Sequence, residues 1–302
     1  MGRPQGGPTR LGNRARGTGP PTGPARAVAP PSRKAQQARV CRQWGAAARD
    51  TPNSTSDLKQ VNLILATGGG PMVKAAYSSG KPAHGVGAGN ALIIVDETAD
   101  LKDAADKIMR SKTFDTSCST ENALAIQEGI YDKMLKELEA VGGYLCNAEE
   151  KAKLQKGMWD EKGALNREIV AQPAEKLSVT MTLYKYKEFS EAIELVNRIT
   201  AHSGPGHSCG IHTTIELRIK ELSHKVKVSR IMVRQPQCLA NSGAWTNGMP
   251  MSMTLGCGTW GGNSTSSNVT WEHLLNYTWV SYPIPSTQPS DVELFGSIMY
   301  ED

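Results

Sequence analysis

Between residues 61 and 235, short apolar runs alternate with longer amphipathic stretches, and this alternation limits the fold more than any other feature of the chain. The runs VNLILAT (61–67), ALIIV (91–95), NALAIQ (122–127), LSVTMTLYKY (177–186), SCGIHTT (208–214) and SRIMVRQ (229–235) read as strands. Helical stretches lie between them. Pro71 suits the first turn of a helix reaching Ser78, and residues 96–114 open with acids that favour a helix N-terminus. YDKMLKELEAV (131–141) places Met134, Leu135, Leu138 and Val141 on one face and is closed by Gly142 and Gly143. FSEAIELVNRIT (189–200) and IELRIKELSHKV (215–226) complete the series. Strands separated by helices predict a layered α/β architecture with a largely parallel sheet. Beyond Gln235 the chain is rich in Gly, Asn, Ser, Thr and Pro and reads as loop.

The first 50 residues belong to a different compositional class. They hold nine Arg, one Lys and a single acid, Asp50, with Gly, Pro and Ala but almost no large apolar side chain. Such a segment cannot bury enough surface to offset its ordering entropy, so residues 1–52 are predicted to be disordered. A basic RNA-binding tail or a transit peptide would suit the charge, though Pro and Gly break the amphipathic helix that a transit peptide needs. Translation in a wrong frame or from a wrong start, joined to a real protein, fits best. The whole chain carries +5 and this segment +9, which leaves −4 for the remainder. That mildly acidic body argues against a nucleic-acid partner. No apolar run reaches the roughly 18 residues of a membrane span, so no membrane association is expected. Six scattered cysteines without a CxxC motif suggest reduced thiols and a cytoplasmic setting. The N-x-S/T sequences at Asn53, Asn263, Asn268 and Asn276 are read as coincidental.

Three stretches carry candidate chemistry. FDTSCSTEN (114–122) sets Cys118 among hydroxyl residues at a helix-to-strand joint. A buried structural thiol usually has apolar neighbours, whereas a polar, partly accessible setting favours a reactive thiolate. Both readings stay open on this stretch alone. The turn Gly68, Gly69, Gly70 lies where a strand delivers its end to a helix N-terminus, a place that suits a phosphate or simply a tight turn. SGPGHSCGIHTT (203–214) holds His207, Cys209 and His212. Their spacing does not close a zinc site, so no metal is expected, and His207 after a Gly-Pro-Gly turn is better placed as an acid–base partner. GVGAGNALIIV (85–95) brings three glycines before a strand, and LGCGTWGGNST (255–265) is a glycine-dense loop suited to fold over a ligand.

The run from LILATGGGPMVKAAYSSGKPAHGVGAGNALIIVDETADLKDAADKIMRSKTFD, with SCSTEN, GPGHSCGIHTT and LGCGTWGGNS, resembles the coenzyme A-acylating aldehyde dehydrogenases. The similarity extends from about residue 53 to 299. The nearest branches are the sulfoacetaldehyde dehydrogenases and the aldehyde half of the bifunctional aldehyde-alcohol dehydrogenases. The resemblance implies oxidation of a small aldehyde, sulfoacetaldehyde or acetaldehyde, with NAD or NADP and with coenzyme A as co-substrate. It implies Cys118 as the nucleophile and His207 as the residue assisting coenzyme A deprotonation. It places Thr67, Gly68, Gly69, Gly70, Val73, Glu175 and Gly258 on the cofactor side. It also implies that Val86 stands where hydrolytic members carry a water-activating glutamate.

Further expectations follow from the same resemblance. The family's long region before VNLILAT supplies strands of the cofactor domain, and residues 1–52 stand in its place here. The chain is therefore expected to be N-terminally truncated or chimeric, with part of the cofactor-binding domain missing. The expected division is a disordered segment (1–52), a remnant of the NAD-binding domain (53–90), a catalytic α/β domain (91–255) and a closing and oligomerisation segment (256–302). A homo-oligomer is expected. The alternative is an inactive fragment that keeps the fold and the oligomer contacts.

Overall fold

The computed structural model describes residues 61–114, 117–161, 163, 166 and 180–296. The expected disorder of residues 1–52 and the expected cofactor contact of Glu175 lie outside the described residues.

Two parallel sheets organise this part of the chain. The smaller pairs β1 (Ile64–Thr67) with β2 (Ala83–Val86), linked by α1 (Gly70–Tyr77). The larger contains β3 (Ala91–Val95), β4 (Glu121–Gln127), β5 (Thr182–Tyr186), β6 (Cys209–His212) and β7 (Ile231–Val233) in the order β5-β4-β3-β6-β7. All four ladders in it are parallel. Among the described residues, the crossovers are α2 (Leu101–Phe114), α3 (Tyr131–Ala140), α4 (Ala148–Met158), α5 (Phe189–His202) and α6 (Glu216–Lys225). The chain steps outward through β3, β4 and β5, then returns to the other side of β3 for β6 and β7. This reversal makes the sheet doubly wound.

The central strand explains why the apolar runs are continuous instead of alternating. Every residue of β3 is buried, because both faces of the sheet are covered. Ile93 and Val95 pack with Ile108 of α2, Leu124 and Ile126 of β4, and Met134 of α3. Leu92 and Ile94 face the opposite layer, with Val196 of α5, Ile211 of β6 and Leu222 of α6. Helices α2 and α3 therefore cover one face, and α5 and α6 the other.

Several expectations are corrected in detail. The helix expected from residue 96 begins at Leu101. Asp96 instead accepts from the Thr98 backbone N–H at 2.9 Å and from Arg218 Nη1 at 2.8 Å, so it closes a turn and an ion pair. The stretch after Gln235 is not wholly loop: α7 (Gln237–Asn241) follows β7 and is largely buried. Helix α4 had no counterpart in the apolar pattern, since none of its residues is buried. Asn147 and Glu150 cap its start reciprocally, each side chain bonding the other's backbone N–H. A last short helix, α8 (Asp291–Phe295), begins at Ser290 with a similar reciprocal cap. Among the described residues, no helix is long and apolar enough to cross a membrane.

Candidate active site

Parallel strands bring their leading ends to one edge of the sheet. Gly89 lies just before β3, Cys118 just before β4, and His207 just before β6. Since β3 lies between β4 and β6, these three approach segments are neighbours. At this edge His207 Nε2 lies 3.2 Å from Cys118 Sγ. Cys118 is half-buried and His207 is wholly buried.

Glycine makes this approach possible. A Cβ on Gly89 would lie 2.6 Å from His207 Cδ2 and would strike the Cys118 carbonyl oxygen as well. Gly204 and Gly206, on either side of Pro205, both have φ near +78°, in the left-handed region that favours glycine. A Cβ on Gly204 would also meet Gly89 Cα at 2.7 Å. The Gly-Pro-Gly turn is thus wedged against the segment before β3, and the next residue, His207, is delivered onto the thiol.

Behind the pair lies a buried polar hub. Arg230 Nε donates to Asn268 Oδ1 at 2.9 Å, and its Nη1 donates to the His207 carbonyl at 3.1 Å. Its Nη2 donates to the Gly256 carbonyl. Asn268 in turn donates through Nδ2 to the carbonyls of Asn241 at 2.9 Å and Pro250 at 2.7 Å. His207 Nδ1 lies 2.8 Å from Ser208 Oγ, which also receives the amides of Asn241 and, at longer range, Gln237. Burial, aided by the Arg230 charge, pushes the His207 pKa down to about 3. The imidazole is therefore neutral at physiological pH.

The other thiols have different surroundings. Burial pushes Cys209 up to about 12 and Cys257 up to about 11, so both are protonated at neutral pH. Cys146 is exposed. The hydroxyls flanking Cys118 engage other groups: Ser117 Oγ lies 3.1 Å from Ser119 Oγ and 3.3 Å from Cys238 Sγ. Among the described residues, no cluster of three or more His, Cys, Asp or Glu could hold a metal ion.

On the proposed cofactor side, β1 ends at Thr67 and the 68–70 turn enters α1. Gly69 caps α1 without a side-chain hydrogen bond, and a Cβ on Gly70 would meet nothing within 4 Å. An open backbone at a helix N-terminus fits an anionic or amide-bearing group such as a nicotinamide dinucleotide. Thr67 Oγ1 lies 3.1 Å from Thr254 Oγ1, which ties this turn to the glycine-dense loop. That loop also rests on the small sheet: Ser264 N donates to Tyr77 Oη at 3.0 Å, and Ser264 Oγ lies 3.1 Å from His84 Nδ1. Gly258 lies within it at φ +60°. Val73 has a different setting from its glycine neighbours. It is buried in α1 and faces Gly85 of β2, where any added Cβ would meet its Cγ1 at 2.8 Å. Val86 is also buried, at the end of β2 opposite Thr67.

The sequence pointed to Cys118 and His207 but not to Arg230, Ser208 or Asn241. Arg230 is the one of these with a visible signal: a cation directly before the apolar run of β7. The sequons at Asn263 and Asn268 lie on buried side chains with internal partners.

A model of the aldehyde dehydrogenase family matches residues 46–144. The chain is 44% identical over 283 residues to a sulfoacetaldehyde dehydrogenase from an Acholeplasma species, covering 81% of this chain and 58% of that protein. It is 42% identical over 281 residues to an acylating sulfoacetaldehyde dehydrogenase from Bilophila wadsworthia, covering 80% of this chain and 61% of that one. Among solved structures, an acetylating aldehyde dehydrogenase from Geobacillus thermoglucosidasius matches with a TM-score of 0.72 at 35% identity, covering 78% of this chain and 60% of that chain. The chain thus spans about three-fifths of the length of these relatives.

Proposed function

This chain belongs to the aldehyde dehydrogenase family, and from that premise we propose that it carries the thiol site of a coenzyme A-acylating aldehyde dehydrogenase. The observation that carries the reading is the 3.2 Å approach of His207 Nε2 to Cys118 Sγ at the glycine-walled sheet edge. Cys118 is the nucleophile. Its thiolate forms a C–S bond to the aldehyde carbon, and the carbonyl electron pair moves to oxygen. When bound, the nicotinamide of NAD or NADP supplies the hydride acceptor. Loss of the aldehyde hydrogen as hydride re-forms the carbonyl and leaves a thioester on Cys118. The coenzyme A thiol then gives up its proton to water, and its sulfur displaces the Cys118 sulfur. Acyl-coenzyme A leaves and the enzyme thiolate is restored.

Thr67 and the three glycines of the 68–70 turn would hold the cofactor, with Gly258 on the closing loop. Val86 supports transfer to a thiol over transfer to water, because a buried apolar side chain cannot act as a general base. Sulfoacetaldehyde is the first substrate to test and acetaldehyde the second, in keeping with the relatives at 40% to 44% identity. In this reading residues 53–90 serve the cofactor, 91–255 the chemistry, and 256–302 closure and self-association. Trp279, Val280, Tyr282 and Ile284 stand exposed on the segment leading to α8, and they support a homo-oligomer.

The test is formation of reduced nicotinamide from either aldehyde by the full chain. Turnover is expected to require coenzyme A and to fall by ~10³-fold or more in Cys118→Ser. An equal rate with water as sole acceptor overturns the acylating reading. A complete absence of turnover in the full chain would favour the inactive-fragment alternative.

A further inference from the structure

The hydrogen bonds around Ser208 determine which nitrogen of His207 carries the proton. Ser208 Oγ is wholly buried and has three polar neighbours. Asn241 Nδ2 lies at 3.2 Å, Gln237 Nε2 at 3.4 Å and His207 Nδ1 at 2.8 Å. The Asn241 amide orientation is fixed independently, because the same Nδ2 reaches the Gln237 carbonyl at 3.0 Å and a carbonyl only accepts. Asn241 therefore donates to Ser208 Oγ, and Gln237, oriented with Nε2 toward the hydroxyl, approaches it only at 3.4 Å. The hydroxyl has one hydrogen, and His207 Nδ1, the nearest of the three at 2.8 Å, is the acceptor best placed for it. An Nδ1 that accepts bears no proton. A neutral imidazole then holds its single proton on Nε2, which is the nitrogen facing Cys118 Sγ.

We propose that Ser208, held by Asn241, is a positioning residue that fixes His207 in the Nε2-protonated tautomer, so that His207 donates to the Cys118 sulfur. His207 is then a stabiliser of the Cys118 thiolate and not the base that removes its proton. The depressed pKa of His207 agrees, since an imidazolium is disfavoured there. The role expected from the resemblance, deprotonation of coenzyme A, would need a lone pair on Nε2. That lone pair appears only after the Nε2 proton has moved. Asn241 is itself fixed through its carbonyl by Asn268, which also binds Arg230. The same hub thus sets the His207 backbone through Arg230 and its ring through Asn241 and Ser208.

The inference rests on the proposed thiol site, but its test does not depend on turnover. In the full chain labelled with 15N-histidine, long-range proton–nitrogen correlation distinguishes a bare ring nitrogen from a protonated one, and His207→Gln assigns the resonances. The expected result is a bare Nδ1 and a protonated Nε2. A protonated Nδ1 in the unsubstituted protein overturns the proposal whatever the Ser208 and Asn241 variants do. Asn241→Asp offers the Ser208 hydroxyl an acceptor, which frees Ser208 Oγ to accept from Nδ1. That variant should invert the tautomer and slow alkylation of Cys118 by iodoacetamide about 10-fold or more, the worth of one hydrogen bond to a charged atom. Ser208→Ala should mix the tautomers and slow alkylation, with Ser208→Thr restoring both; an unchanged spectrum and rate in Ser208→Ala overturn the proposal. If the tautomer is as stated but no aldehyde is oxidised, the functional reading fails and the positioning role stands. If aldehyde is oxidised with Nδ1 protonated, the reverse holds.

Discussion

Gly89 limits how closely three backbone segments can converge, and that limit is felt by the reacting sulfur. Its missing side chain is the space occupied by the His207 ring and the Cys118 carbonyl. Gly89→Ala must displace one or both, and displacements near 1 Å at reacting groups cost rate steeply. Aldehyde turnover is expected to fall ~100-fold in Gly89→Ala, whereas the thermal midpoint should change much less; wild-type turnover in this variant would contradict the packing argument. At this scale the sequence was partly legible. The polar flanks of Cys118 and the glycine turn before His207 singled out two residues that the fold brings within 3.2 Å. The flanks do not turn toward the sulfur as a group, since the hydroxyls of Ser117 and Ser119 engage each other and Cys238. Ser208, Asn241 and Arg230 were not legible. Their significance comes from meeting across 23 to 38 residues of chain, and no local pattern records such meetings.

Among the elements, β3 bears the most weight. It is hydrogen-bonded on both sides, to β4 and β6, and its alternate residues enter two separate apolar layers. Ile94→Ala should cost about 2–5 kcal/mol by denaturant titration, the usual range for deleting a buried aliphatic side chain. A loss below about 1 kcal/mol would show that the layer collapses around the gap. The six-strand, helix-alternating pattern was readable because each long element has a strong apolar period. It failed where that period is absent. Helix α4 has no buried residue and was detectable only from the reciprocal cap between Asn147 and Glu150. Helix α7 is only five residues long with a polar residue at each end, yet four of those residues are buried. The amide nitrogens of Gln237 and Asn241 reach Ser208 in the site hub, so tertiary context overrides a composition that otherwise signals loop. The small strand β2 was also absent from the reading, because AHGV is too short and mixed to show a strand pattern without β1 beside it.

For the molecule as a whole, buried titratable groups couple stability to pH. The pKa of His207 is pushed down to about 3 and that of His212 to about 4, both chiefly by burial. Between roughly pH 6.5 and these values the unfolded chain binds protons that the folded chain does not, so stability falls as the solution is acidified. Above about pH 6.5 neither histidine contributes a slope. Lys112, pushed down to about 8 by burial, gives a matching effect on the alkaline side, with stability rising from about pH 8 toward its unfolded value of 10.5. Thermal unfolding from pH 7 to pH 4 should therefore show a progressive drop in Tm; a flat profile would contradict the burial of both imidazoles. The two sheets, the closing loop and the Arg230 hub meet at one sheet edge, and the account requires that edge to carry an acyl group. Incubation of the full chain with acetyl-coenzyme A, followed by peptide mass spectrometry, tests this without any nicotinamide present. The account predicts an acetyl group on Cys118 that added coenzyme A removes. No acetylation of Cys118, or acetylation no greater than that of the exposed Cys146, would contradict it.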